Sequence, residues 1–217
     1  MSNIKYELND KLHAIIINPY LSWEDFLANC DLIKKNNIRN ISTSLTFLSD
    51  LRNSLNNYKV NINALISYPL ADLPLSFINE FISYAKDKGA NGIEYSPKFI
   101  NLSKTNLDTF GLEIERLKSS NLPITIIIDK AKLERDIFIR AVEISLELGI
   151  TNFQFGDGFG PPITTQDVIE ILKLVRNQKV KIVGGIKKLT QVIELFDLGV
   201  DFVGTSNFFE IFEEVKN

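Results

Sequence analysis

The sequence predicts a single (β/α)8 TIM barrel spanning residues 1–217, and three observations carry that prediction. Short apolar runs rich in β-branched residues alternate with helical segments eight times in slightly over 200 residues. Three helical segments end alike, in Asp87-Lys88-Gly89, Glu147-Leu148-Gly149 and Asp197-Leu198-Gly199, each followed within four residues by the next apolar run. A glycine that closes a helix and leads straight into a strand is the short αβ loop of a βαβ array. A doubly wound open sheet is the alternative, but neither GxGxxG nor a Walker P-loop occurs to favour it.

The elements follow in order. Leu12–Ile17 is a strand closed by Asn18-Pro19. Ser22-Trp23-Glu24-Asp25 caps a helix running to Lys35, with Phe26, Leu27, Cys30 and Ile33 at helical spacing, and Asn36-Asn37 breaks it. Ile38–Ser44 is a second, weaker strand, followed by a helix around Leu48–Leu55. Val60–Ser67 is a third strand, ended by Tyr68-Pro69-Leu70, and Ser76–Lys88 is its helix. Gly92–Tyr95 is a short fourth strand, with a helix over Leu107–Leu117. Ile124–Ile128, entered from Pro123, is the clearest strand, and the long helix Ala131–Leu148 follows it. Ile150–Phe155, Val180–Val183 and Phe202–Val203 complete the strands. Helices at Gln166–Val175 and Leu189–Leu198 separate them, the first opened by the capping signal Thr164-Thr165-Gln166-Asp167. Phe208–Val215 is the last helix.

Folded as one unit, a chain of 217 residues buries roughly 70% of its unfolded surface. A formal charge of −3 without a basic stripe argues against nucleic acid. No apolar run reaches membrane-spanning length, and the first residues lack a signal-peptide pattern. Cys30 is the one cysteine, so no internal disulfide forms and a reducing, cytoplasmic compartment is expected. With one histidine, His13, beside that one cysteine, neither a metal site nor a cofactor is expected. A homodimer is the assembly to test.

Parallel barrel strands are covered on both faces and should be apolar. Polar exceptions near the C-terminal ends of strands are therefore active-site candidates. They are Glu94, Thr125, Asp129, Gln154 and Lys181, with His13 and Ser42 near the first two strands and Lys130 after the fifth. A lysine inside Val180-Lys181-Ile182-Val183 must be paired or functional, and Glu94 is its natural ion-pair partner. Asp129 could equally cap the segment from Ala131, while His13 and Ser42 read as packed or hydrogen-bonded residues. Lys179 and Lys188 read as solvated.

Three permissive loops should meet on one rim. The first, Asn152–Gly160 (NFQFGDGFG), ends in Gly156, Gly158 and Gly160 before Pro161-Pro162. The others are Gly184-Gly185 after strand seven and Gly204-Thr205-Ser206-Asn207 after strand eight, where this fold commonly binds phosphate. Backbone N–H groups can cup an anion there, helped by the Thr205 and Ser206 hydroxyls. The expected ligand there is a phosphate, inorganic or carried on a larger molecule.

These segments resemble the deoxyribose-phosphate aldolase family in order and spacing over nearly the whole chain. Ile66-Ser67-Tyr68-Pro69-Leu70 is similar to its apolar-Gly-Phe-Pro-Leu segment, and Ala90-Asn91-Gly92-Ile93-Glu94 to its Ala-Asp-Glu-Val-Asp segment. Val180–Ile186 is similar to its Lys-x-x-Gly-Gly-Ile motif, Gly204-Thr205-Ser206 to Gly-Thr-Ser, and Asp157-Gly158-Phe159-Gly160 to Thr-Gly-Phe-Gly.

The resemblance implies a class I aldolase that splits deoxyribose 5-phosphate through a lysine imine on strand six. It matches Lys181 to the neighbouring lysine that keeps that amine unprotonated, and Glu94 to the family's strand-four Asp. Gly184, Gly185 and Ser206 match phosphate-binding positions. The departures fall at the centre. Gln154 stands at the imine lysine and cannot form an imine, with Phe155, Gly156 and Asp157 after it in place of Thr, Ser and Thr. His13-Ala14-Ile15 replaces Asp-His-Thr, Ser42 a cysteine and Thr125 a lysine.

Three functions follow. One is a lyase whose imine forms on Lys181, or secondarily Lys130, with Glu94 or Asp157 as proton shuttle. Another is a non-catalytic barrel that binds a phosphorylated metabolite or a protein partner. The third is an imine-independent isomerisation or retro-aldol reaction relying on Glu94, Asp157 and Lys181.

Overall fold

Along each strand, successive side chains alternate between an apolar outer layer and the lumen, and that alternation organises the molecule. The computed structural model describes residues 2–103 and 107–216. Eight parallel strands close into a barrel, each paired with the next and the last with the first. They are β1 (Leu12–Ile16), β2 (Asn40–Ser44), β3 (Asn61–Ile66), β4 (Gly92–Tyr95), β5 (Ile124–Ile128), β6 (Asn152–Phe155), β7 (Lys179–Val183) and β8 (Phe202–Thr205). The open-sheet alternative is thereby excluded.

The surrounding helices are α1 (Ser2–Lys11), α2 (Trp23–Asn36), α3 (Leu48–Ser54), α4 (Ile78–Asp87), α5 (Ile100–Ser103), α6 (Leu107–Lys118), α7 (Arg135–Glu147), α8 (Thr165–Val175), α9 (Leu189–Asp197) and α10 (Phe208–Glu214). Ala14, Ile41, Ile62, Ile93, Ile126, Phe153, Val180 and Val203 are buried in the layer between strands and helices. None of the described helices is long and apolar enough to cross a membrane.

The expected start and stop signals operate. Ser22 Oγ accepts from Asp25 N at 3.1 Å, and Thr164 with Asp167 forms a reciprocal capping box. Gly89, Gly149 and Gly199 close their helices at φ +89°, +80° and +97°.

Several segments depart from the expectation, the short helix α5 and three others among them. The helix α1, ahead of β1, is mostly polar and carries no apolar stripe to announce it. It is held by fully buried Leu8 and by bonds from Arg39 N to Asn9 O (3.0 Å) and Asn40 Nδ2 to Asp10 O (2.7 Å). The long helix expected from Ala131 begins instead as a 3-10 turn, Lys130–Lys132, capped by Asp129. Extended Leu133 interrupts it, so α7 starts at Arg135. The helix expected from Ser76 likewise opens as a 3-10 turn, Leu75–Phe77, before α4.

Candidate functional site

The lower half of the lumen holds a closed polar network. Lys181 on β7 and Glu94 on β4 meet across it at 2.6 Å, with side chains only 3% and 1% exposed. The Lys181 ammonium also donates to Ser42 Oγ at 3.2 Å, and Ser42 Oγ donates to Glu94 Oε1 at 2.9 Å. Asn63 Nδ2 adds a further donor to Oε1 at 2.9 Å. His13 lies against this group, Nδ1 3.3 Å from Ser42 Oγ, with its ring edge-on to Phe202. Burial pushes the Glu94 carboxyl up, but the charge of Lys181 and the donors from Lys181 and Asn63 outweigh it and hold the group below its usual value. Burial pulls the Lys181 ammonium below its ordinary value, opposed by Glu94. Thus the ion pair anticipated between these residues is present, and the lysine is not an open nucleophile.

Burial and the Lys181 charge together lower His13 to about 3, so it is neutral in the folded protein. The unfolded chain takes up that proton below about pH 6.5, so folding stability falls as pH drops from about 6.5 towards 3. Between pH 6.5 and 5 this amounts to about 2 kcal/mol. Urea titrations across that interval should lose this slope in His13→Gln, and an unchanged slope would contradict the assignment.

Above the network the lumen turns apolar. Ile15, Leu65, Ile127 and Val183 occupy the next inward positions towards the C-terminal ends of β1, β3, β5 and β7, all buried. Val183 and Ile15 close over Gly204: a Cβ on that glycine would lie 2.8 Å from Val183 Cγ2 and 3.1 Å from Ile15 Cδ1.

Two cavities consequently sit at opposite ends of the barrel. A cavity of about 590 Å³ at the C-terminal mouth is lined by Gly158, Gly184, Gly185, Gly204, Thr205 and Ser206. Six of the seven residues expected to bind phosphate are thus together, and Lys187 joins them. The seventh, Gly160, lies instead beside Asp129 Oδ2 and Lys132. The Thr205 hydroxyl donates to Ile186 O at 2.7 Å and accepts from Asn207 N at 2.9 Å, so it shapes the loop. Neither Lys181, Glu94, Gln154 nor Asp157 lines this mouth. Lys181, Glu94 and His13 line a cavity of about 260 Å³ at the N-terminal end, among Asn40, Asn61, Asn63, Asn91 and Asn152.

The other candidates are also accounted for. Gln154 is 1% exposed and folds back, Nε2 donating to Gly156 O at 3.0 Å. Its Oε1 and Glu94 Oε2 are the buried side-chain polar atoms without a partner among the described residues. Asp157 organises its own loop, Oδ1 accepting from Phe159 N at 2.9 Å and Oδ2 from Lys132, while the Tyr68 hydroxyl donates to its carbonyl. Asp129 accepts from Ala131 N at 3.0 Å, as the capping reading expects. Burial, and then the adjacent Asp157 carboxylate, raise its pKa. Lys130 is taken up by Asp167 and, at 2.7 Å, by Glu170, away from both cavities.

Sequence reasoning does not single out Asn63, Lys132 or Lys187. The alternation of Val60–Ser67 carries a signal for Asn63, a polar residue in step with the lumen face. Lys132 reads as an ordinary helix lysine because its partner Asp157 lies 25 positions away.

Comparison with known proteins bears on what this arrangement descends from. No family model matches the chain. A curated relative from Dictyoglomus turgidum is 25% identical over 207 residues, 94% of each chain. Another, from Mycoplasmoides pirum, is 27% identical over 218 residues, 96% of this chain and 98% of the relative. Both relatives are deoxyribose-phosphate aldolases. The deoxyribose-phosphate aldolase of Aeropyrum pernix, described as a tetramer, matches with a TM-score of 0.84 at 17% identity, covering 100% of this chain and 94% of that one. At that identity the likeness is one of fold. The resemblance to deoxyribose-phosphate aldolases drawn from the sequence motifs therefore extends over the whole barrel.

Proposed function

We propose that this chain binds a phosphorylated sugar or inorganic phosphate at the C-terminal mouth and does not form a lysine imine there. The observation that carries this reading is the separation of the glycine rim from the amine: Lys181 is paired with Glu94 beneath the apolar positions and lines only the opposite cavity. An imine needs an unprotonated, accessible amine. Gln154, matched by resemblance to the imine lysine, supplies none. The relatives' name puts a sugar phosphate first among ligands to try.

Borohydride treatment with acetaldehyde or a sugar phosphate should leave the protein mass unchanged, while sugar phosphates or inorganic phosphate raise the melting temperature. A borohydride-fixed adduct on Lys181 or Lys130 would restore the lyase reading. No thermal shift with any phosphate would remove the binding reading.

A second reading, an isomerase or lyase working without an imine, is favoured by Asp129 beside Asp157. Burial and its neighbour hold Asp129 above its usual pKa, a state suited to proton transfer. It predicts turnover of a sugar phosphate, followed by NMR, that Asp129→Asn abolishes. Absence of turnover in the unaltered protein removes it.

A further inference from the structure

We infer that the preferred ligand of the C-terminal mouth is a small phosphomonoester whose organic part is apolar, a claim resting on the phosphate-binding reading above. The rim offers the Gly184-Gly185 turn with the Ser206 hydroxyl and Lys187, groups suited to a phosphate. Below the rim the chemistry changes abruptly. The floor is hydrocarbon, with Val183 and Ile15 together over Gly204. The walls continue it with Ile17 and Leu21 from the loop after β1, and with Phe159 from the β6 loop.

Several of the polar groups lining the mouth that could serve a sugar are already engaged. Asn18 Oδ1 accepts from Tyr20 N at 3.0 Å, the Thr205 hydroxyl bonds to Ile186 O, and the Tyr68 hydroxyl bonds to Asp157 O. Glu94, Lys181 and Gln154, which could meet sugar hydroxyls, do not line the cavity. A hydroxyl held over Ile15 and Val183 would lose its water and gain no partner. An apolar group there loses nothing and buries its surface. The cavity, about 590 Å³, is of the size that takes a small molecule. Phe159 stands 62% exposed at its edge, a large apolar side chain left uncovered beside the rim.

The test is calorimetric titration of the full chain with inorganic phosphate, ribose 5-phosphate, benzyl phosphate and benzyl alcohol at constant ionic strength. Benzyl phosphate should bind at least about tenfold more tightly than inorganic phosphate, as expected for one buried ring. Ribose 5-phosphate should gain nothing over inorganic phosphate, and benzyl alcohol should bind more weakly than benzyl phosphate. Phe159→Ser, an exposed substitution that leaves the core intact, should weaken benzyl phosphate several-fold and leave inorganic phosphate unchanged.

Ribose 5-phosphate binding as tightly as benzyl phosphate, or tighter, overturns the inference and leaves the phosphate reading standing. Benzyl alcohol matching benzyl phosphate also overturns it, since the rim would then contribute nothing. Capture by phosphatidic acid vesicles without binding of benzyl phosphate overturns it in favour of a lipid head group. Binding of none of the phosphates removes the underlying reading itself.

Discussion

Lys181→Met and Glu94→Gln should each destabilise the protein by about 3–5 kcal/mol, because each leaves the other partner buried without its counter-charge. For a chain of this size that corresponds to a fall in melting temperature of roughly 6–20 °C. The partners are 2.6 Å apart and their side chains only 3% and 1% exposed, so bulk solvent compensates poorly for the missing group. Lys181→Met combined with Glu94→Leu removes both charges, fills similar volume and should cost far less than the sum of the singles. Urea denaturation of the singles and the double measures this directly. Additive losses would mean that the two groups do not depend on each other, contrary to the geometry.

Gly156→Ala should cost a similar amount by a different route. The glycine sits at φ +81°, and a Cβ there would lie 2.1 Å from the Val183 carbonyl oxygen and 3.2 Å from its carbon. Both are backbone atoms of a central strand, which cannot swing aside. The amide of Gly156 meanwhile donates to Ile128 O at 3.1 Å, tying the loop to β5. Clash and unfavourable dihedral together put the loss at about 3–5 kcal/mol. Gly199→Ala is the control, for Gly199 has a similar φ of +97° but nothing within 4 Å of the added carbon. It should lose only the conformational part, about 1–2 kcal/mol. Equal losses in thermal melts of the two variants would show that the steric contact at Gly156 is not felt.

The barrel was legible because its signals are local. β-branched runs such as Ile124–Ile128 and helix-ending glycines such as Gly149 act within a few residues, and the structure realises both. The α1 helix was not legible, since Ser2–Lys11 has helix-neutral residues and depends on contacts with Arg39 and Asn40 across the chain. The ion pair could be anticipated from charge alone: a lysine within an apolar strand needs a carboxylate, and Glu94 stands at a matching position. What could not be read was height within the lumen. Whether Lys181 serves the C-terminal or the N-terminal mouth depends on the stagger of the strands and on Ile15 and Val183, which in sequence are ordinary strand residues. Lys132 escaped notice for a related reason, because a 3-10 turn and an extended Leu133 re-aim a lysine that a continuous helix would have pointed elsewhere.

The hydrocarbon between the two mouths is also an electrical insulator. Ions that screen charges in solution do not enter a packed aliphatic layer, so it weakens a field less than salt water does. A dianion arriving among Gly184, Gly185 and Gly204 would therefore be felt by the ammonium of Lys181, although no atom of that side chain reaches the mouth.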